Sequence, residues 1–186
     1  MANFTEKAIK ESFWKLLLEH PLNKITIKDI VTDCGINRNS FYYHFQDIPS
    51  LVEIIVREEA EKLIAAYPKI ESLEKALDVA IEFAMKNKAA ALHIFNSVSR
   101  DVFEQNLFRV CEDVIIKYLD TVMPDMDLSP EDRRVLVGFF KCECFGVIIN
   151  WMQKGMTADL REDHKRFSAL RPQLLKEFLR LSGEEV

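Results

Sequence analysis

A chain of 186 residues, 48% hydrophobic and 30% charged, is long enough to bury one helical body or two small domains without disulfide staples. Five glycines and six prolines are too few for the turns of a sandwich or barrel, so an all-α fold of about nine helices is expected. The net charge of −5 argues at first against nucleic acid, but residues 1–50 hold six of the 25 Lys/Arg and six of the 30 Asp/Glu, so the deficit falls entirely after residue 50.

Residues 5–19 read as a first helix. Thr5 is an N-cap type, and Ile9, Phe13, Leu16 and Leu17 recur at helical spacing before His20-Pro21 stops the run. Acidic residues among the apolar ones, and no small-residue cleavage site, set this start apart from a signal peptide. Thr26 is expected to cap a short second helix with Ile27, Ile30 and Val31 on its inner face, and Gly35 to end it. Asn37 then caps a third helix, where Phe41 and Phe45 face inward while Arg38, Asn39, Tyr42 and Tyr43 face out.

A fourth helix starts near Asp47 to Ser50, with Pro49 in its first turn, and breaks at Tyr67-Pro68. Further helices are expected near 71–87, 88–98 and 101–122. After the turn-rich MPDMDLSPED, Ser129 and Pro130 open a helix over 130–154 that is apolar almost all round and so must be covered on two sides. Gly155 ends it, and a last helix over about 158–182 carries Pro172, where a kink or break is expected. No stretch approaches 18 uncharged apolar residues, so no membrane span is expected. Cys34, Cys111, Cys142 and Cys144 form no CxxC pair and are expected as reduced thiols, in keeping with a cytoplasmic protein.

The string TIKDIVTDCGINRNSFYYHF carries the functional signal. A supporting helix, a sharp glycine turn and a second helix with exposed leading residues are the parts of a helix-turn-helix, whose second helix enters the major groove. Arg is suited to guanine and Asn to adenine, while hydroxyls, helix ends, Tyr and His serve phosphates.

With Thr26, Asp29-Ile30, Gly35-Ile36, Ser40, Tyr42, His44-Phe45 and Leu51 in order, the segment resembles the head of the TetR family of regulators. The resemblance implies phosphate contacts from Thr26, Ser40, Tyr42 and His44, and base approach by Lys28, Arg38, Asn39 and Tyr43, with Asn37 at the start of the same helix. Two departures stand out: Cys34 where the family usually has Ala, and Ile48 where a Lys commonly grips a phosphate. Losing that charge is expected to reduce phosphate affinity and its salt slope.

The resemblance further implies a DNA-binding domain over residues 1–47 and a helical ligand-binding and dimerisation domain over 48–186. The last two long helices would pair with those of a second copy, giving a homodimer on a palindromic operator. An unknown small-molecule effector is expected, with Phe83, His93, Phe95, Phe103, Phe108, Tyr118, Phe139, Asn150 and Trp151 as candidate pocket residues, although core packing is the default for each aromatic and satisfied core hydrogen bonds are the default for His93 and Asn150. A repressor released by its ligand is the favoured reading, and a regulator, activator or repressor, switched by a protein partner is the alternative. No enzyme is expected: the four histidines are scattered, and HExxH, GxSxG and a Gly-rich phosphate loop are missing. No cofactor or metal is expected either, since Asp125, Asp127 and Glu131 lack EF-hand spacing and read as a capped turn.

Overall fold

The computed structural model describes residues 2–122 and 129–157, together with 160, 161, 165, 169, 173 and 177. Among these the chain is all helical, in the order α1 (Ala2–Glu19), a 3-10 turn (Leu22–Lys24), α2 (Ile27–Asp33), α3 (Arg38–His44), α4 (Ile48–Ala66), α5 (Leu73–Lys86), α6 (Lys88–Phe95), α7 (Arg100–Val122) and α8 (Pro130–Gln153). The all-α expectation is met with eight α-helices; most of the expected ninth, and the expected break at Pro172, lie outside the described residues.

Contacts divide the chain into two compact units, residues 1–66 with 84–110 and residues 67–83 with 111–186. In the first, Ile9, Phe13 and Leu17 of α1, Ile30 of α2, Phe41 of α3, and Leu51 and Val52 of α4 are all 0% exposed and form one apolar cluster. Each such side chain contributes about 1.5–3 kcal/mol by leaving water. Ala90 and Ile94 of α6 enter the same cluster, so α6 packs on the helices of the head.

Local chemistry explains the boundaries. Thr26 and Asp29 form a reciprocal capping box at the start of α2, with Thr26 N–H donating to Asp29 Oδ2 at 2.9 Å. At its end Gly35 adopts φ +70° and Ile36 N–H reaches back to the Val31 carbonyl at 3.0 Å, the six-to-one bond of a left-handed helix stop. The end of α8 repeats the device: Gly155 has φ +68°, and Met156 N–H donates to the Trp151 carbonyl at 3.0 Å. Asp47 and Ser50 cap α4 reciprocally, with Ser50 N–H donating to Asp47 Oδ1 at 2.8 Å. One boundary differs from expectation. α1 runs back to Ala2, so Thr5 lies within it rather than capping it; a cap-type residue permits a start without enforcing one.

In the second unit, Ile70, Leu73, Ile115, Leu119, Leu136, Val137 and Phe140 form a separate cluster. Lys141 pairs with Glu112 at 2.7 Å and Arg133 with Asp120 at 2.5 Å, so α7 and α8 run antiparallel in a fixed register. Arg161 reaches Asp78 at 2.8 Å. The four cysteines are free thiols, and burial pushes Cys111 well above the ordinary thiol range.

One helix comes near the composition of a membrane span. α8 is long and apolar enough to cross a bilayer by length and composition, because Lys141 and Glu143 at its middle are too few to offset the rest. Core helices of globular proteins pass the same test, and Leu136, Val137, Phe140, Trp151 and Met152 of α8 are buried within the chain.

Candidate nucleic-acid interface

α3 is two turns long, about 10 Å at the standard rise. Asn37 caps it, its Oδ1 accepting from Ser40 N–H at 2.8 Å, so Arg38 and Asn39 occupy the first two helical positions, both exposed. Phe41 is 0% and Phe45 2% exposed, one turn apart and 5.7 Å between ring centroids, which pins one face of α3 to the core. The opposite face is then forced outward: Tyr43 is 81% and Tyr42 55% exposed, with His44 half-buried and edge-on to Tyr43 at 5.1 Å. Lys28 and Thr26 are exposed at the start of α2. The expected inward and outward faces of α3 are therefore those observed.

The structure also gives several of these groups local partners. Thr26 Oγ1 donates to Asp29 Oδ2 at 2.6 Å, and Ser40 Oγ donates to Asn37 Oδ1 at 3.1 Å. The Thr26 hydroxyl first, and then the Thr26 backbone N–H, hold Asp29 below the usual carboxylate range. A phosphate approaching Thr26 or Ser40 competes with a cap already made. Of the two departures, Cys34 is half-buried against the core as a small helix-contact residue, and Ile48 also packs partly buried against it.

α1 ties these parts together. Ser12 Oγ donates to the Ile30 carbonyl at 3.1 Å, and Lys15 pairs with Asp33 at 2.5 Å, joining α1 to α2. Lys10 bridges Glu6 and Glu58 at 2.6 Å each, joining α1 to α4; burial pulls its ammonium down, but the two carboxylates more than offset this and the net shift is upward. None of these ties was read from sequence, because pairs 18 or 48 residues apart leave no local pattern.

The candidate pocket residues are divided between the two units. His93 hydrogen-bonds the Leu17 carbonyl at 2.7 Å, and Phe95 is buried with Phe103 edge-on at 6.2 Å and Arg100 4.2 Å above its ring. Phe108 is half-buried in the same unit. In the other unit Tyr118 packs on the core and Trp151 is buried, whereas Phe83 is 37% and Phe139 63% exposed, and Asn150 is exposed. Among the described residues no group of three or more His, Cys, Asp or Glu is arranged to hold a metal ion.

A capped supporting helix, a glycine stop and a second helix anchored by two phenylalanines define a helix-turn-helix regulator. Residues 13–54 match the family described as bacterial regulatory proteins, tetR family, and residues 71–172, more than half of the chain, match a transcriptional regulator C-terminal region. The chain belongs to the TetR family of transcriptional regulators. It is similar in fold to a solved structure titled dihydroxyacetone kinase operon activator DhaS, with a TM-score of 0.69 and 18% identity over 95% of each chain. No curated protein matches the sequence.

Proposed function

We propose that this regulator is a cytoplasmic homodimer that represses from a palindromic operator and is released by a small apolar ligand. Residues 1–47 supply the reading head and residues 48–186 the sensing and pairing body. The observation that carries this reading is the two-faced α3: Phe41 and Phe45 hold it down while Arg38, Asn39, Tyr42 and Tyr43 stand outward. Lys28 joins Arg38, Asn39 and Tyr43 in approaching bases, and Thr26, Ser40, Tyr42 and His44 serve the backbone, with Asn37 at the start of the same helix.

Pairing is supported by α8. Val135 and Phe139, 46% and 63% exposed, continue through exposed Cys142, Gly146 and Asn150 in one uncharged stripe at helical spacing. A second copy is its natural cover, which draws Phe139 and Asn150 away from the pocket set. Tyr118 and Trp151, in the second unit, remain as walls for a ligand. Two heads then stand about 34 Å or a multiple apart.

Selection of bound genomic fragments with the purified protein, alongside measurement of its mass in solution, tests this. A dimer that enriches a palindrome bears it out; a monomer, or no enriched sequence, overturns it. A screen of small apolar compounds that lower operator affinity separates ligand release from control by a protein partner.

A further inference from the structure

The sequence leaves a hole at the end of α1 that another helix fills. In an α-helix the carbonyl of residue 17 accepts from the amide of residue 21, and residue 21 is a proline, which has no N–H. Leu17 is 0% exposed, so its side of the helix end is away from water, where a carbonyl needs a protein partner. That partner comes from 76 residues later: His93 Nδ1 on α6 lies 2.7 Å from the Leu17 carbonyl. A carbonyl only accepts, so Nδ1 carries the proton, as it does in both the Nδ1–H neutral tautomer and the imidazolium.

Ala90 and Ile94, on the same face of α6, sit 0% and 3% exposed in the cluster that holds Ile9, Phe13, Leu17, Phe41 and Phe45. Apolar packing of that kind tolerates a small slide of one helix on another, whereas a hydrogen bond to one carbonyl fixes a single register. α1 is in turn tied to α2 through Ser12 and Lys15, and α2 to α3 through the Gly35 stop.

We infer that His93 is a positioning residue: by donating to the carbonyl that Pro21 leaves open, it fixes α6 to the reading head and so sets the angle at which α3 is presented to DNA. The inference rests on the paired-head reading above, in which the angle of each head determines the separation of half-sites.

The test is operator selection with the full-length protein and three variants. His93→Phe keeps the ring and removes the donor; His93→Asn keeps a donor at the same number of bonds from the backbone; His93→Gln sets it one bond further out. All four should enrich the same half-site sequence. The parent protein and the Asn variant should enrich one spacing, while the Phe and Gln variants spread over several. Those two should also lose about tenfold in affinity for the parent spacing, a coupling of ordinary size. A single unchanged spacing in the Phe and Gln variants overturns the role of His93 and leaves the paired-head reading standing. Unpaired half-sites with the parent protein sink that reading itself and the inference with it. A ¹⁵N spectrum of the imidazole should show Nδ1 carrying a proton; an Nδ1 without one refutes the bond.

Discussion

Replacing Arg38 with alanine separates base reading from every other role that residue has. Arg38 is exposed at the first position of α3, so its loss leaves the core intact and stability should change by no more than about 0.5 kcal/mol. A bidentate arginine–guanine contact is worth about 1–3 kcal/mol of discrimination, and a dimer carries two. The expected penalty on the preferred operator is then about 2–6 kcal/mol, or roughly 30-fold to 20,000-fold in Kd at about 1.4 kcal/mol per decade. Fluorescence anisotropy with labelled duplexes measures it, at two salt concentrations and with each half-site base substituted in turn. Base reading predicts a loss confined to one base pair per half-site and an unchanged salt slope. A loss spread evenly over all sequences, with the slope lowered by about 0.9 for each contact removed, refutes it and makes Arg38 a phosphate contact.

Gly35→Ala should destabilise the head by about 1–2 kcal/mol, the cost of a left-handed conformation for a residue with a Cβ; since nothing lies within 4 Å of that Cβ, urea denaturation reads backbone strain alone, and Gly35→Asn should cost less. Phe41→Ala should cost about 3–5 kcal/mol and abolish operator binding through loss of the head, and a urea midpoint shift worth under about 1 kcal/mol would place that ring outside the core. The Asp33 carboxyl is held below its ordinary 3.8 by hydrogen bonds from Lys15 and Ser12, so its contribution is complete above that value and is lost as pH falls toward the lower folded-state value. Thermal midpoints of the parent protein should therefore fall more steeply below pH 4 than those of Asp33→Asn, and parallel curves would count against the pairing.

Residues that act on near neighbours were legible in the sequence. The two caps at Thr26 and Asn37, the glycine stop and the 3.6-residue stripe of α3 each involve partners within five residues, so the head could be read almost position by position. The same holds for Ser129 and Pro130 at the start of α8, whose cap bond spans three residues. His93 shows the limit. A lone polar residue in an apolar helix signals a partner but does not identify it, and from sequence a ligand and a core hydrogen bond were both open to it. Pro21 held the missing clue, because it names the carbonyl that must look elsewhere, yet pairing the two requires knowing that α6 returns to α1. Division of the chain has the same origin: the family resemblance implies a cut at residue 47 and patterning a break at Tyr67-Pro68, while compactness gathers residues 84–110 with the head through contacts no local pattern contains.

The ties around α1 differ in how they respond to salt, and that difference bears on how DNA binding should be read. Lys15–Asp33 has its lysine side chain 61% exposed, and such pairs contribute little and are screened over a Debye length of about 10 Å at 0.1 M. The bonds from Ser12 to the Ile30 carbonyl and from His93 to the Leu17 carbonyl end on fully buried residues, and the apolar cluster carries no charge at all. Head cohesion therefore rests on terms that salt does not weaken, and a fall in operator affinity with salt reports phosphate contacts rather than a loosening head. Ile48 is turned partly into the core and carries no charge, so under the proposed reading it adds no phosphate contact, and the burden of affinity falls on the side chains of α3.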